Sequence, residues 1–334
     1  TFLFGTYQGG LARLNEATLT FTTWKNDPDD AYSINSNFVT SLLEDSRGNF
    51  WIGTNGGGLN LFDRNSMEFR AYTQNPTDSN SLVDNFINDL IEDRNGDIWV
   101  ATFWGLSRFN PENFHFHNYL SDKSKQRSLS HNTVFCVLED SHGRIWAGSR
   151  NGLNLFLPET DEFLFFTEND GLAGNTIYSI EEDESGKLWI STNKGLTRFD
   201  PDTGKSLNFT ESDGLQGNEF FRNSSYKSTS GELFFGGING CNSFFPNEIK
   251  QSDYVPPMVL TGFRIFDREV PVAQPMDGRV LLQQTISRTD KLNLKYSDKI
   301  FSFHLAALDY ITPENMVYAY KMEGFDRDWI YPGG

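Results

Sequence analysis

The sequence predicts an all-β protein: a β-propeller of four-stranded blades, followed by a partial Ig-like β-sandwich. An anchor residue, usually Trp, recurs every 43 to 48 positions through the first 250 residues. Each copy contains four short β-rich runs separated by Gly, Asn, Asp or Pro, and such a period is typical of propeller blades. The anchors are Leu3, Trp51, Trp99, Trp146, Trp189 and Phe234.

The copy around Trp99 illustrates the blade, whose strands we letter a to d in chain order. We predict strand a at 86–92, b at 98–102, c at 106–109 and d at 114–119, each bounded by turn-forming residues. One such sheet cannot bury both faces alone, so neighbouring sheets must stack with their anchors between them.

Two polar signals recur in the blades. A Glu-Asp pair precedes a turn that ends in Gly, and we interpret its Asp as a turn residue that binds backbone amides, against the alternative of acid-base catalysis. An Asn precedes strand a and is predicted to satisfy loop backbone groups, although contact with a ligand remains the alternative. The Asn residues are Asn37, Asn85, Asn132, Asn175 and Asn218.

The two ends of the repeat region differ from the middle. Residues 1 to about 33 supply strands b, c and d, four full repeats follow, and the copy from Asn218 to Pro246 has no clear strand d. This makes six blades or partial blades, one fewer than a seven-bladed ring, so the chain is expected to be a piece of a longer protein or to form a smaller ring.

Residues 1–250 are therefore predicted to be an incomplete propeller and residues 251–334 a second domain. Adjacent prolines at 256 and 257 mark the boundary, since Pro cannot continue a sheet ladder. Beyond them the runs 259–270, 292–298, 300–308 and 316–325 alternate between apolar and polar residues, which favours strands of a sandwich.

Composition excludes several classes of function. The 334 residues carry a net charge of −17, which argues against a surface for nucleic acid or anionic membrane. No 18-residue apolar run or signal-peptide pattern is present. Cys136 and Cys241 are expected to be small buried side chains rather than a disulfide framework.

The repeats resemble the two-component regulator propeller repeat, and Lys291 to Trp329 resembles the three-tyrosine domain that follows such propellers. Five repeats in register carry the first resemblance, and the motifs ALDY at 307–310 and YAYKMEGFDRDW at 318–329 carry the second. The resemblance implies the periplasmic sensor region of a membrane-bound histidine kinase, hybrid regulator or diguanylate cyclase, commonly one that senses carbohydrate.

The b–c loop tips vary between blades where the rest of the repeat does not, so we predict that a ligand binds there. Aromatic tips could stack on a saccharide ring, and basic tips could pair with carboxylates or sulfates. Packing between blades is the alternative for each one taken singly. The predicted ligand residues are Tyr7, Asn55, Phe103, Trp104, Arg150, Asn193, Lys194 and Asn239.

We predict no catalytic residue, metal or cofactor. His115 and His117 alternate on a predicted edge strand and His131 lies near a strand a, without a third ligand at metal-site spacing. In the second domain, five aromatic residues are expected to be core or corner residues, or to face a partner in a homodimer. They are Tyr310, Tyr318, Tyr320, Trp329 and Tyr331.

The leading hypothesis is a sensor without enzymatic activity that binds a small molecule, such as an oligosaccharide. Two alternatives stay open: a propeller lyase or glycosidase, which would need paired carboxylates at a substrate site, and a module that binds another protein. In the sensor hypothesis the membrane is contacted only through a segment outside this chain, and no nucleic acid is bound.

Overall fold

The computed structural model describes residues 2–249, 257–308 and 318–331. The chain divides into two compact units, Thr1–Ile249 and Lys250–Gly334. The first unit forms six antiparallel sheets in chain order, three strands in the first and last and four in the others. This architecture confirms the predicted propeller blades.

The strands are numbered in chain order. The first two blades contain β1 (Phe2–Thr6), β2 (Gly10–Asn15), β3 (Thr20–Trp24), β4 (Val39–Glu44), β5 (Phe50–Thr54), β6 (Leu59–Asp63) and β7 (Glu68–Tyr72). The third and fourth contain β8 (Ile87–Glu92), β9 (Ile98–Thr102), β10 (Gly105–Asn110), β11 (His115–Tyr119), β12 (Val134–Glu139), β13 (Ile145–Ser149), β14 (Gly152–Leu157) and β15 (Glu162–Phe166). The last two contain β16 (Ile177–Glu182), β17 (Leu188–Thr192), β18 (Gly195–Phe199), β19 (Ser206–Phe209), β20 (Phe220–Lys227), β21 (Leu233–Gly237) and β22 (Gly240–Phe244).

The predicted strands around Trp99 agree with β8 to β11 to within one residue at each end. The first blade has strands b, c and d, and the last has a, b and c, as the sequence indicates. Three short 3-10 helices, Glu168–Asp170, Glu211–Asp213 and Pro246–Glu248, lie in the connections of this unit.

The Trp anchors pack between blades. Trp51, Trp99, Trp146 and Trp189 are at most 1% exposed. Each indole contacts a phenylalanine on strand c of the next blade, with ring centroids 4.7 to 5.8 Å apart. The partners are Phe109, Phe156, Phe199 and Phe244. The core of this unit is thus a series of layers, each shared by two sheets.

The cysteine prediction is half right. Cys136 on β12 is buried, but Cys241 on β22 is exposed. The equivalent leucines of the preceding blades pack against the next blade, as Leu196 does against Phe220 and Phe235, and among the described residues no further blade follows β22. Neither cysteine forms a disulfide.

The second unit, taken by itself, is built on a three-stranded sheet. Its strands are β23 (Met258–Ile265), β24 (Arg268–Glu269) and β27 (Phe301–Ala307), in the order β24-β23-β27. A ribbon of β25 (Pro275–Met276) and β26 (Arg279–Val280) and a 3-10 helix, Ile286–Arg288, complete its regular elements. Its core contains Phe263, Ile265, Val270, Leu282 and Ile286.

Two predictions for this unit are wrong. Residues 292–298 form no strand: Leu292 and Leu294 pack on the core, and the chain then turns where Asp298 accepts a hydrogen bond from the Lys295 amide at 2.7 Å. The other is the strand predicted at 316–325, whose described part, from residue 318, contains only an isolated bridge between Tyr320 and Ile330. Of the five aromatic residues expected to be core or corner residues or to face a homodimer partner, three are exposed, which leaves the partner-facing alternative open. They are Tyr320, Trp329 and Tyr331, at 46%, 61% and 68%.

The remaining two aromatics differ. The Tyr318 hydroxyl accepts a hydrogen bond from the Ala307 amide at 3.1 Å, which ties residue 318 to the end of β27. Tyr310 lies outside the described residues. In the described ranges, no helix has the length and apolar character needed to cross a membrane.

Candidate functional site

The recurring Asp residues are turn-holding side chains. Asp140 accepts hydrogen bonds from the amides of His142 and Arg144 through Oδ1 and from the Trp146 indole through Oδ2, at 2.9 to 3.0 Å. Asp45, Asp93 and Asp183 make the same set of bonds in their blades. Burial opposes ionisation, but these donors outweigh it and hold the pKa of Asp45, Asp140 and Asp183 below its usual value.

The Glu of three pairs contacts the turn of the preceding blade. Glu92 accepts hydrogen bonds from the amide and hydroxyl of Ser46, and Glu182 does the same with Ser141, at 2.6 to 2.8 Å. Glu139 binds the amide and guanidinium of Arg94. Each of these pairs therefore closes one turn and links two blades, which uses its hydrogen-bonding capacity in structure.

The recurring Asn also has a structural role. In all five copies its Oδ1 accepts a hydrogen bond from a backbone amide near the end of the preceding strand d or its connection, at 2.6 to 2.8 Å. The donors are the amides of Asn26, Gln74, Ser121, Glu168 and Glu211. This is the structural role that the sequence predicts for the Asn.

The b–c tips lie beside the starts of strand a, and we call this end of the first unit the b–c face. The Asn55 amide donates to the Phe38 carbonyl, and the Gly56 amide donates to the Asn85 carbonyl of the next blade. Tyr7, 81% exposed, contacts the Phe38 ring edge-on at 4.9 Å.

The tips of the third, fourth and fifth blades are joined by two threonines. Thr133 Oγ1 donates to the Phe103 carbonyl at 3.1 Å, and Thr176 Oγ1 donates to the Arg150 carbonyl at 3.3 Å. Asn193 Oδ1 accepts a hydrogen bond from the Thr176 amide at 3.3 Å. Phe103, Arg150 and Asn193 are thus brought into one arc of the b–c face.

Of the other predicted ligand residues, Lys194 and Asn239 are placed less favourably for binding a ligand, whereas the Trp104 side chain is accessible. Lys194 pairs with Glu168 at 2.8 Å, so its charge is already balanced. Asn239 lies on the last blade, where its amide donates to Gln216. Trp104 follows Phe103 and projects from the arc with 61% of its surface exposed.

A run of aromatic rings lines this arc, and sequence reasoning missed three of its four members. Phe86, Phe103, Phe135 and Tyr178 contact one another in that order, with ring centroids 6.4, 6.3 and 5.8 Å apart. The sequence does contain a signal for these three residues. The residue after the recurring Asn and the second residue of strand a vary between repeats, as the tips do.

Arg222 was also missed. Its guanidinium carbon lies over the rings of Phe103 and Phe135, 5.2 and 5.4 Å from their centroids, a cation–π arrangement. Its signal is a change of spacing: the turn Gly follows the recurring Asn by 11 positions in four repeats, whereas Gly231 follows Asn218 by 13. The additional residues lie in the strand that carries Arg222.

Charged groups surround the arc. Burial raises the pKa of Tyr178, Glu219 raises it further, and Arg222 and Arg150 oppose the shift. Burial lowers the pKa of His131, and Arg150 adds to that effect.

Beneath the Phe103–Trp104 tip lies the buried Asp84 carboxyl. Burial raises its pKa, while nearby backbone amides, including those of Phe103 and Trp104, oppose the rise. We infer that Asp84 orients this tip.

A metal ion would require a cluster of ligating side chains. Across residues 2–249, 257–308 and 318–331, no group of three His, Cys, Asp or Glu side chains is placed to hold a metal ion. His117, one of the predicted alternating histidines, instead pairs with Asp161 at 3.0 Å.

Two clefts of about 440 Å³ lie at the opposite end, near the a–b turns. One is bordered by Asp183 and Arg198 and the other by the equivalent Asp93 and Arg108. Because they recur at equivalent places between blades, we interpret them as packing gaps.

Comparison with known proteins identifies a family of repeats and a relative. Four segments match the family described as two component regulator propeller: residues 33–56, 81–104, 128–151 and 171–194. Each segment ends at a b–c tip. A segment of 111 residues is 33% identical to histidine kinase P4 of Formosa agariphila, which is 33% of this chain and 8% of that protein.

Solved structures share the fold. The extracellular domain ascribed to the hybrid two component system BT3049 of B. thetaiotaomicron superposes with a TM-score of 0.75 at 24% identity, over 99% of this chain and 43% of that one. The corresponding domain of BT4673 superposes with a TM-score of 0.58 at 23% identity, over 98% of this chain and 42% of that one. The chain thus spans less than half of either structure. It contains two-component regulator propeller repeats in four of its six blades and folds as a propeller of the kind found in those extracellular domains.

Proposed function

We propose that this chain is part of the periplasmic sensor region of a bacterial two-component signalling protein, and that it binds a small molecule at the b–c face. The observation that carries the proposal is the run of four aromatic rings from Phe86 to Tyr178, with Trp104 exposed beside it. Phe86 and Trp104 are exposed, at 46% and 61%, and exposed aromatic faces of this kind stack on sugar rings, so the ligand class is an oligosaccharide.

A sensor must also have two states with different affinity for the ligand. The arc contains residues of blades three to six. Arg222 of β20, in the sixth blade, contacts Phe103 and Phe135 of the third and fourth blades. A ligand on the arc therefore contacts several blades at once and biases their packing. The signal passes to a kinase output outside this chain, with two copies of the whole protein acting as a dimer.

An enzyme is less well supported. A glycosidase or lyase needs paired acids that reach one substrate. The two inner carboxylates with raised pKa, Asp89 and Glu181, are instead hydrogen-bonded to the next blade, Asp89 to the Val137 amide and Glu181 to the Ser225 hydroxyl. These hydrogen bonds hold neighbouring blades together.

A second candidate, binding of another protein, is favoured by one observation. Tyr7 and Trp104 are 81% and 61% exposed at the same face, and exposed aromatic residues are enriched where proteins bind one another. In that case the arc is the centre of a protein interface rather than a saccharide site.

A thermal-shift screen of the chain with neutral and acidic oligosaccharides tests the proposal. A ligand at 100 times its Kd stabilises by about 2.7 kcal/mol, so a hit raises the Tm by several degrees. We expect Trp104→Ala to abolish that rise without lowering the Tm of the free protein, because the indole is largely exposed.

Leu19→Ala is the matched control, since Leu19 is 76% exposed on the c–d turn of the first blade. It should leave the ligand-induced rise intact. A rise that persists in Trp104→Ala would place the ligand elsewhere. If no saccharide changes the Tm while the protein is well folded, the protein-binding function becomes the better proposal.

A further inference from the structure

The b–c face carries two guanidinium groups without a carboxylate partner. Arg150 lies at the tip of the fourth blade and Arg222 on β20, and both side chains are exposed. Within the described residues, no ion pair is formed by either one.

A bulge in β20 places Arg222 over the arc. Phe220 pairs with Gly237 and Ser225 with Phe235, so β20 contains three more residues than β21 over this interval. In the second to fifth blades, strand a contains only one more residue than strand b at the equivalent place. The last blade therefore has a larger bulge, and Arg222 is part of it.

The bulge is held by a contact with the third blade. Asn223 adopts a left-handed backbone conformation with φ of 50°, and its side-chain amide donates to the Asn88 carbonyl of the third blade. Asn88 in turn donates to the Val134 carbonyl of the fourth blade at 2.7 Å. Because this chain of bonds fixes the backbone beside Arg222, the guanidinium is positioned before any ligand binds.

The Phe103 and Phe135 rings lie against one side of the Arg222 guanidinium and leave its other side exposed. Its N–H groups are donors in a fixed fork that matches a carboxylate or sulfate in a bidentate manner. Arg150 and Arg222 both lower the pKa of the Tyr178 phenol, and Glu219 raises it. Two positive charges and one negative charge therefore lie near this phenol, and their sum is positive.

We propose that the b–c face selects saccharides that bear an anionic group, a carboxylate or a sulfate, with Arg222 and Arg150 pairing with the anion while Trp104 and Phe86 contact the sugar. The inference rests on the proposed function, since it names the class of ligand for the same site. Lys194 takes no part, because Glu168 already neutralises it.

Calorimetric titration of the wild-type chain tests the proposal with three probes: trigalacturonate, its neutral methyl ester and a sulfated disaccharide from chondroitin. We expect the wild type to bind at least one anionic probe at least tenfold more tightly than the methyl ester, with weaker binding at higher salt. Preference for trigalacturonate identifies a carboxylate as the anion. Because the chondroitin disaccharide also bears a uronate carboxylate, a sulfate is identified only if the sulfated disaccharide binds more tightly than its desulfated form.

Substitutions then assign the anion contact. Arg222→Gln and Arg150→Gln should each weaken binding of the anionic probe at least tenfold, and Arg222→Lys should recover part of the loss. Arg70→Gln is the matched control, because Arg70 also lies over two rings, 5.1 Å from Tyr72 and 5.2 Å from Phe114, on the outer strand β7. It should bind as the wild type does.

Failure of this inference differs from failure of the proposed function. If the methyl ester binds as tightly as the acid, or if Arg222→Gln leaves the affinity unchanged while Trp104→Ala abolishes it, the arc is a saccharide site without selectivity for anions. If neither anionic probe binds the wild type, the inference is also wrong. Binding that survives Trp104→Ala contradicts the proposed site itself.

Discussion

Asp89 shows how a single ionisable residue affects the stability of the propeller. It lies on β8, and its two carboxylate oxygens accept hydrogen bonds from the amides of Leu90 and Val137, at 2.9 and 3.0 Å. The side chain keeps some contact with solvent but is surrounded by protein. Burial raises the pKa of Asp89 to about 7, and the nearby Glu181 carboxylate acts in the same direction.

The raised pKa sets the sign of a pH effect. A carboxyl whose folded pKa exceeds its unfolded value stabilises most when protonated, so its contribution is complete below about pH 4 and is lost as the pH rises through about 7. Asp89→Asn imitates the protonated acid. Relative to the wild type, its free energy of unfolding should therefore rise by about 1–3 kcal/mol between pH 5 and pH 8.

Urea unfolding at the two pH values measures this difference. Asp29→Asn is the control, because Asp29 is exposed in a connection of the first blade. Its free energy of unfolding should follow the wild type at both pH values. Equal pH dependence in Asp89→Asn and the wild type would contradict the assignment. Glu181 and Cys136 face the same region and remain unchanged in every variant.

At the scale of a strand pair, the Gly that opens strand c allows strand d to pack closely. Gly195 has a φ of 129°, and a Cβ there would lie 2.3 Å from the Phe209 carbonyl oxygen of β19. Gly240, the equivalent residue of the last blade, has a φ of 138° but no heavy atom within 4 Å of such a Cβ. The difference arises because the last blade has no fourth strand among the residues that the structure describes.

This pair of glycines separates backbone strain from packing. Both Gly195→Ala and Gly240→Ala incur the cost of a positive φ, about 1–3 kcal/mol. Only Gly195→Ala adds a clash with strand d, so it should be more destabilising by a further ~1–3 kcal/mol. Chemical unfolding of both variants measures the difference. Equal losses would indicate that β19 moves away at little cost.

Across the whole molecule, stability should pass from blade to blade through the Trp anchors. Trp99 meets Phe156 of the next blade with ring centroids 5.0 Å apart, edge to face. Phe199 belongs to the interface beyond, where it contacts Trp146. A repeat architecture of this kind behaves as a series of nearest-neighbour interfaces.

A double-mutant cycle tests this behaviour. Trp99→Leu and Phe156→Leu should be non-additive in the free energy of unfolding by about 0.5–1.5 kcal/mol, the range for an aromatic pair. Trp99→Leu with Phe199→Leu is the control cycle and should be additive to within about 0.5 kcal/mol. Equal coupling in both cycles would show that the propeller responds as one block rather than interface by interface.

The features that sequence predicted correctly are those confined to one repeat. The Asp-to-Trp hydrogen bond spans six residues, and the turn amides that Asp140 binds lie within four. Such short-range contacts recur with the period of the chain, so a repeated pattern reveals strands, turns and anchors together. The strands around Trp99 and the incomplete first and last blades were predictable for this reason.

The candidate site was predictable only in part. The tips Phe103, Trp104 and Arg150 stand out because they vary within a constant pattern. Their partners Phe135 and Arg222 come from strand a of other blades, and in sequence Arg222 lies more than a hundred residues from Phe103. Nothing in a single repeat indicates which side chains of different blades come into contact.

The chain's own periodicity thus accounts for the blades, because each repeat contains the residues that form its turns and its share of the core. Tertiary structure alone brings Arg222 to the aromatic arc, through a bulge that Asn223 anchors to the third blade. It also leaves Cys241 exposed on an outermost strand and residues 292–298 without a strand. These outcomes depend on which neighbours cover a residue, and that information is spread over the whole chain rather than repeated along it.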